Sequence, residues 1–129
     1  SGRCMSFADL DNDGDLDIVV NNIDQPSVLF ENRLCSGPAL EVELDWEGSP
    51  NRRAIGAELQ LHTSRASFFR EVRLSSGYLS SLPARVHFGI GKSTDLKQLL
   101  VIWPDGRVSH IERPPLGTLL RVRRPLYAQ

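Results

Sequence analysis

Apolar and polar residues alternate in short stretches along most of this chain, and Gly, Pro, Asn, Asp or Ser separate the stretches. That rhythm predicts strands at 4–8, 16–22, 27–32, 39–45, 54–63, 67–74, 85–91, 97–103, 107–111 and 118–124. In EVELD, Val42 and Leu44 point one way and Glu41, Glu43 and Asp45 the other. In ELQLH, Leu59 and Leu61 oppose Glu58, Gln60 and His62; in REVRL, Val72 and Leu74 oppose Glu71 and Arg73. A period of two with one polar face is the pattern of a half-buried sheet. TDLKQLL at 94–100 is the one helix candidate, long enough for a single turn before a strand. The expected fold class is all-β.

Gly37 and Pro38 in LCSGPA (34–39) interrupt the strand pattern and suggest a boundary. Residues 1–35 hold too few strands for a core of their own, so they are expected to form a partial β-propeller blade belonging to a larger repeated structure. Residues 39–125 offer about seven strands, enough for a compact β-sandwich or barrel. WPDGR (103–107) is the clearest turn, because Pro104 fixes φ and Asp105-Gly106 tolerates a tight reversal. Trp103 just before it is expected in the core or at a sheet edge.

Composition adds an uneven charge. Residues 1–47 carry eleven acids against Arg3 and Arg33, whereas residues 48–129 carry thirteen bases against five acids. The halves therefore look like different modules. A basic half could attract an anionic partner, but its bases are spread through strands without interleaved aromatics, so a solvated face is the better reading and nucleic acid is not an expected partner. No stretch reaches the roughly 18 apolar residues of a membrane helix, so no membrane span is expected. The chain opens on SGRC, as a mature product or an excised fragment would. Cys4 and Cys35 flank the first strands, and either a disulfide closing that segment or two separate thiols fits them.

DLDNDGDLD at 9–17 concentrates five aspartates at alternate positions around one glycine. Alternate carboxylates converge only if the chain curls, and Gly14 permits the curl. With Asp9 first, the side chains of Asp9, Asp11, Asp13 and Asp17 and the backbone carbonyl of Asp15 supply five hard oxygen donors. With water these make the six- or seven-oxygen shell that Ca²⁺ accepts. Asn12 would point away, and Leu16 would anchor the loop in the core. This is no EF-hand, since the twelfth residue is Val20 and β structure follows. The smaller octahedral shell of Mg²⁺ fits such a cage less well. The plain alternative is an exposed acidic turn without metal.

Other chemistry is weaker. Arg52 and Arg53 in NRRAIGA (51–57) could hold an anion, but Asn51 supporting a turn and Gly56 marking a bulge account for the stretch, with Glu58 or Asp105 as expected partners of an arginine. SSGYLSS (75–81) is rich in hydroxyls yet lacks the nucleophile elbow. His62, His87 and His110 lie in strand patterns without zinc spacing, as structural or surface histidines do. HFGIGKS (87–93) ends like a phosphate loop, but Val86 stands where the first glycine of that motif is required. No catalytic residue emerges.

SFADLDNDGDLDIVVNN resembles the calcium loop of FG-GAP repeats, also called VCBS repeats, of integrin-type β-propellers. The resemblance implies carboxylate ligation by Asp9, Asp11, Asp13 and Asp17 and carbonyl ligation by Asp15. A single such loop cannot make a propeller, which implies missing upstream repeats. SPNRRAIGAELQLHT (49–63), VRLSSGYLSSLPARVHFGIG (72–91) and VIWPDGRVSHI (101–111) are similar to the ASPIC/UnbV domain, which follows FG-GAP repeats in cartilage acidic protein-like proteins and bacterial relatives. Ile90 replaces the usual Leu in HFGIG. The joint resemblance implies a noncatalytic, calcium-binding, adhesion-like module, extracellular or periplasmic, that meets a protein or glycan partner. The alternative is an accessory domain of a larger secreted or periplasmic enzyme.

Overall fold

The computed structural model describes residues 2–34, 37–75, 80–92 and 95–125. Ten strands and no helix occupy them: β1 (Gly2–Ala8), β2 (Asp17–Asn22), β3 (Val28–Phe30), β4 (Ala39–Glu47), β5 (Glu58–Thr63), β6 (Ser67–Glu71), β7 (Arg85–Gly89), β8 (Leu96–Ile102), β9 (Val108–Glu112) and β10 (Leu119–Pro125). They form three sheets, ordered β1-β2-β3, β10-β4-β7 and β6-β5-β8-β9. The second and third sheets pack face to face as a sandwich; no closed barrel forms among the described residues. Between them lies one core built by the inward members of the alternating patterns: Leu40, Val42 and Leu44 from β4, Phe88 from β7, Leu59 and Leu61 from β5, Leu99 and Val101 from β8.

Cross-strand register explains why these side chains meet. Leu59 stands opposite Val101 and Leu61 opposite Leu99, so β5 and β8 present one apolar face to the partner sheet. Parallel pairing sets Leu120 beside Val42 and Val122 beside Leu44. The same register leaves Arg121 beside Glu43 and Arg123 beside Asp45 on the outer face, while β7 brings Arg85 opposite Glu43. Arg53 and Arg121 both pair with Glu43, and Arg85 spans Glu41 at 3.2 Å and Glu43 at 3.9 Å. Arg52 and Arg123 pair with Asp45 at 2.9 and 3.3 Å.

That ladder corrects two expectations. The charge division does not separate modules, because four acids of the first 47 residues (Glu41, Glu43, Asp45 and Glu47) lie on β4, the central strand of a sheet whose other strands come from the basic half. The partners of Arg52 and Arg53 are Asp45 and Glu43, not Glu58 or Asp105. Asp105 instead pairs with Arg124, whose side chain is only 7% exposed. Arg124 lies 5.0 Å from the centroid of Trp46 and 5.3 Å from that of Trp103, and the two indoles meet edge to face. Trp103 is buried and donates from Nε1 to Ser109 Oγ at 2.8 Å. The expected reversal is present beside it: Trp103 and Arg107 close the hairpin, with Gly106 at φ 86°.

The helix expected near 94–100 is also corrected over its described part, where β8 runs instead. His62 pairs with Gln98 but Thr63 with Leu96, leaving Lys97 as an extra residue on β8. This bulge turns Leu96 and Leu99 to the same side. Both are buried three residues apart, a spacing that imitates a helical turn. The strand expected at 67–74 stops at Glu71: Val72 enters the core through hydrogen bonds with Gly56 and Ala57, and Leu74 is exposed. Asn51 builds its turn as expected, with Nδ2 donating to Ile55 O and Oδ1 accepting Ile55 N–H, both at 2.9 Å.

Candidate metal centre

The loop from Asp9 to Leu16 joins β1 to β2 and curls through two left-handed residues, Asn12 at φ 60° and Gly14 at φ 94°. Its aspartates hold the curl with their own carboxylates. Asp9 accepts Asp13 N–H at 3.1 Å and Gly14 N–H at 3.0 Å, Asp11 accepts Asp13 N–H at 3.3 Å, and Asp13 accepts Asp15 N–H at 2.9 Å. Such local side-chain bonds are the means by which Asp stabilises turns. Asp17, only 2% exposed, accepts Leu10 N–H at 3.0 Å and Asn32 N–H at 2.8 Å. It therefore ties the loop entrance to the exit of β3, a structural task that the alternating pattern does not display.

Asp9, Asp11 and Asp17 bring carboxylate oxygens within 4.8 Å of one another. Asp13 stands outside this group and caps Asp15, while Asp15 was expected to contribute only its backbone carbonyl. Loss of solvation pushes the Asp11 carboxyl up from its ordinary value; a hydrogen bond from Asp13 opposes the rise, and the charges of Asp13 and Asp17 add to it. Each carboxylate has lone pairs beyond the backbone bonds it accepts. The donor set is oxygen only and multiply charged, which suits a hard divalent cation such as Ca²⁺.

The loop is docked on the sandwich. His87 on β7 donates from Nε2 to Gly14 O at 2.7 Å. Sequence reading placed His87 on a polar strand face but had no means of finding this partner, 73 residues away. Further along the junction, Ser6 Oγ donates to Ser81 O at 2.8 Å and Cys4 Sγ lies 3.2 Å from Ser80 Oγ. Cys35, and with it the expected choice between a disulfide and separate thiols, lies outside the described residues, as do Ser76 to Leu79 of the hydroxyl-rich stretch. Leu16 is half-buried beside this junction and not in the sandwich core. His62 Nδ1 meets Ser67 Oγ at 2.8 Å, so neither His62 nor His87 directs these contacts toward Ser75 or Ser80.

Comparison with known proteins bears on the sandwich. A protein named cartilage acidic protein 1, from Xenopus tropicalis, is 29% identical over 116 residues, covering 83% of this chain and 17% of that relative. The chain thus spans about a sixth of the relative's length. Residues 47–126 match the family described as ASPIC and UnbV, from the end of β4 through β10. No helix among the described residues is long and apolar enough to cross a membrane. With most of its length matched in one continuous segment, the chain belongs to the ASPIC and UnbV family.

Proposed function

We propose that this chain is a noncatalytic calcium-binding module, extracellular or periplasmic, in which Ca²⁺ stiffens the Asp9–Asp17 loop and fixes the orientation of the first sheet on the sandwich. The carrying observation is the convergence of Asp9, Asp11 and Asp17 in a loop hydrogen-bonded to the sandwich through His87. Asp13 and the Asp15 carbonyl would complete the shell. Bound Ca²⁺ would supply charge neutralisation and crosslinking and no reaction chemistry. The first sheet fits the reading of an FG-GAP-like blade: Val28, Leu29 and Phe30 on β3 are all exposed, as befits a sheet completed by neighbouring repeats. The relative's name, cartilage acidic protein 1, agrees with an extracellular setting. The oriented sandwich would then present its loops to a protein or glycan partner.

Calorimetric titration of metal-stripped protein with Ca²⁺, using Mg²⁺ as competitor, tests this reading. Asp11→Asn is the informative variant, because Asp11 accepts only an Asp13 N–H that Asp9 shares and Asn keeps an oxygen to accept it, whereas Asp9 and Asp17 each hold two backbone N–H groups and their loss confounds folding with ligation. One selective site, weakened at least about tenfold in Asp11→Asn, is expected. Binding at 100 times Kd adds about 2.7 kcal/mol to the folded state, a rise of roughly 8–15 °C in Tm. Absence of both the heat and the rise in a folded chain would sink the proposal.

A further inference from the structure

A cavity of about 440 Å³ opens where the first sheet meets the sandwich. Its apolar wall includes Phe7 and Leu16 on one side and Leu82, Pro83 and Val86 on the other. Volume and location are those of a small-molecule site, since ligand cavities favour the seams between structural units and fall in this size range. Beside His87, three acids and three arginines line it: Asp9, Glu41 and Glu71 with Arg70, Arg73 and Arg85.

The pairing of these charges is uneven. Glu41 is engaged by Arg85 at 3.2 Å and Glu71 by Arg73 at 2.8 Å. Both Asp9 oxygens accept backbone N–H groups of the loop. Arg70 is different: among the described residues no carboxylate pairs with it. Its Nη1 donates to Phe69 O at 2.9 Å, and its guanidinium carbon lies 5.7 Å from the Phe88 ring centroid. A guanidinium has five N–H donors in a planar fork, so this arrangement leaves donors for a carboxylate. An apolar chamber with one geometrically selective guanidinium at its edge, engaged by no carboxylate among the described residues, matches a ligand with an apolar body and a single anionic head, while the one acid of the lining without a cation, Asp9, is turned to the backbone N–H groups of its own loop.

We propose that this cavity binds a small amphipathic monocarboxylate, its head on Arg70 and its hydrocarbon against Leu82, Pro83 and Val86. An alcohol of equal chain length fills the chamber as well but leaves Arg70 unpaired, so the acid is preferred. Binding involves no covalent step and no metal ligation.

Decanoate and 1-decanol, both below their aggregation limits, are titrated into the chain by calorimetry. Amide chemical shifts locate the bound molecule. Decanoate is expected to bind at a single saturable site at least about tenfold tighter than decanol, with shifts centred on Phe7, Leu82 and Val86. Arg70→Gln, an exposed and structurally mild change, should erase the acid preference while leaving decanol binding intact. Equal affinity for acid and alcohol, an unchanged preference in Arg70→Gln, no saturable binding, or shifts confined to the exposed Ile23, Leu29 and Phe30 region each overturn the proposal. Titrations in Ca²⁺ and in chelator separate this site from the metal loop: a chain that responds to Ca²⁺ and ignores decanoate refutes the cavity assignment alone.

Discussion

Glu43 is the centre of the outer charge ladder, and Glu43→Gln removes that centre with almost no change in volume. Its side chain is 14% exposed and serves Arg53, Arg85 and Arg121 from three different segments. Each pair at about 4 Å has a gross attraction of about 4 kcal/mol at an effective dielectric constant of 20. Desolvation and side-chain ordering reduce such pairs to about 0.2–1 kcal/mol each when measured at surfaces. Three pairs, together with the repulsion left among the three guanidinium groups, of which only Arg85 keeps a carboxylate partner in Glu41, place the loss at about 1–3 kcal/mol. Urea unfolding of wild type and variant at low salt measures it directly. In roughly 1 M NaCl the screening length is about 3 Å, so the difference should shrink by about half. Glu112→Gln, on the exposed edge strand β9, is the control and should stay within about 0.5 kcal/mol. A Glu43→Gln loss below about 0.5 kcal/mol, or one indifferent to salt, would refute the claim that the ladder stabilises the sheet.

Hydrogen bonding to Arg124 holds the Asp105 carboxyl at about 2, below its ordinary 3.8. A depressed carboxyl stabilises the fold above 3.8 and loses that contribution as pH falls toward about 2, so Tm should decline through this window in wild type and less steeply in Asp105→Asn. Gly37 has φ 108° and a Cβ built on it would stand 2.5 Å from Gly91 O, so Gly37→Ala should cost about 1–3 kcal/mol in chemical unfolding. Phe88 is fully buried between the sheets, and Phe88→Ala should cost about 3–5 kcal/mol by the same assay. His87→Leu removes the donor to Gly14 O and should cost about 1 kcal/mol, with a smaller Ca²⁺-induced rise in Tm by differential scanning fluorimetry; an unchanged rise would disconnect the loop from the sandwich.

Alternation along the chain determined the β class, most of the strands and much of the core face. A two-residue period carries that information locally: Val42 and Leu44, or Leu59 and Leu61, point inward whatever their eventual neighbours. The WPDGR reversal and the curl at Gly14 were legible for the same reason, since φ preferences act within a few residues. Local periodicity failed at Lys97, where an extra residue shifted the phase of β8 and gave two buried leucines a helical spacing.

Tertiary structure alone decided the partners. Parallel pairing of β10 with β4 joined the acidic and basic halves that composition had set apart, and it carried Arg124 to Asp105 and the two indoles. Docking of the loop on the sandwich gave His87 to Gly14, and the closure of the first sheet made Asp17 a buried clasp for Asn32 as well as a candidate ligand. Hydrogen bonds and ion pairs depend on separations of a few ångströms, and those are set by how sheets register and dock. The residue types for a metal loop are written in DLDNDGDLD; the placement of that loop against the sandwich arises only when the chain has folded.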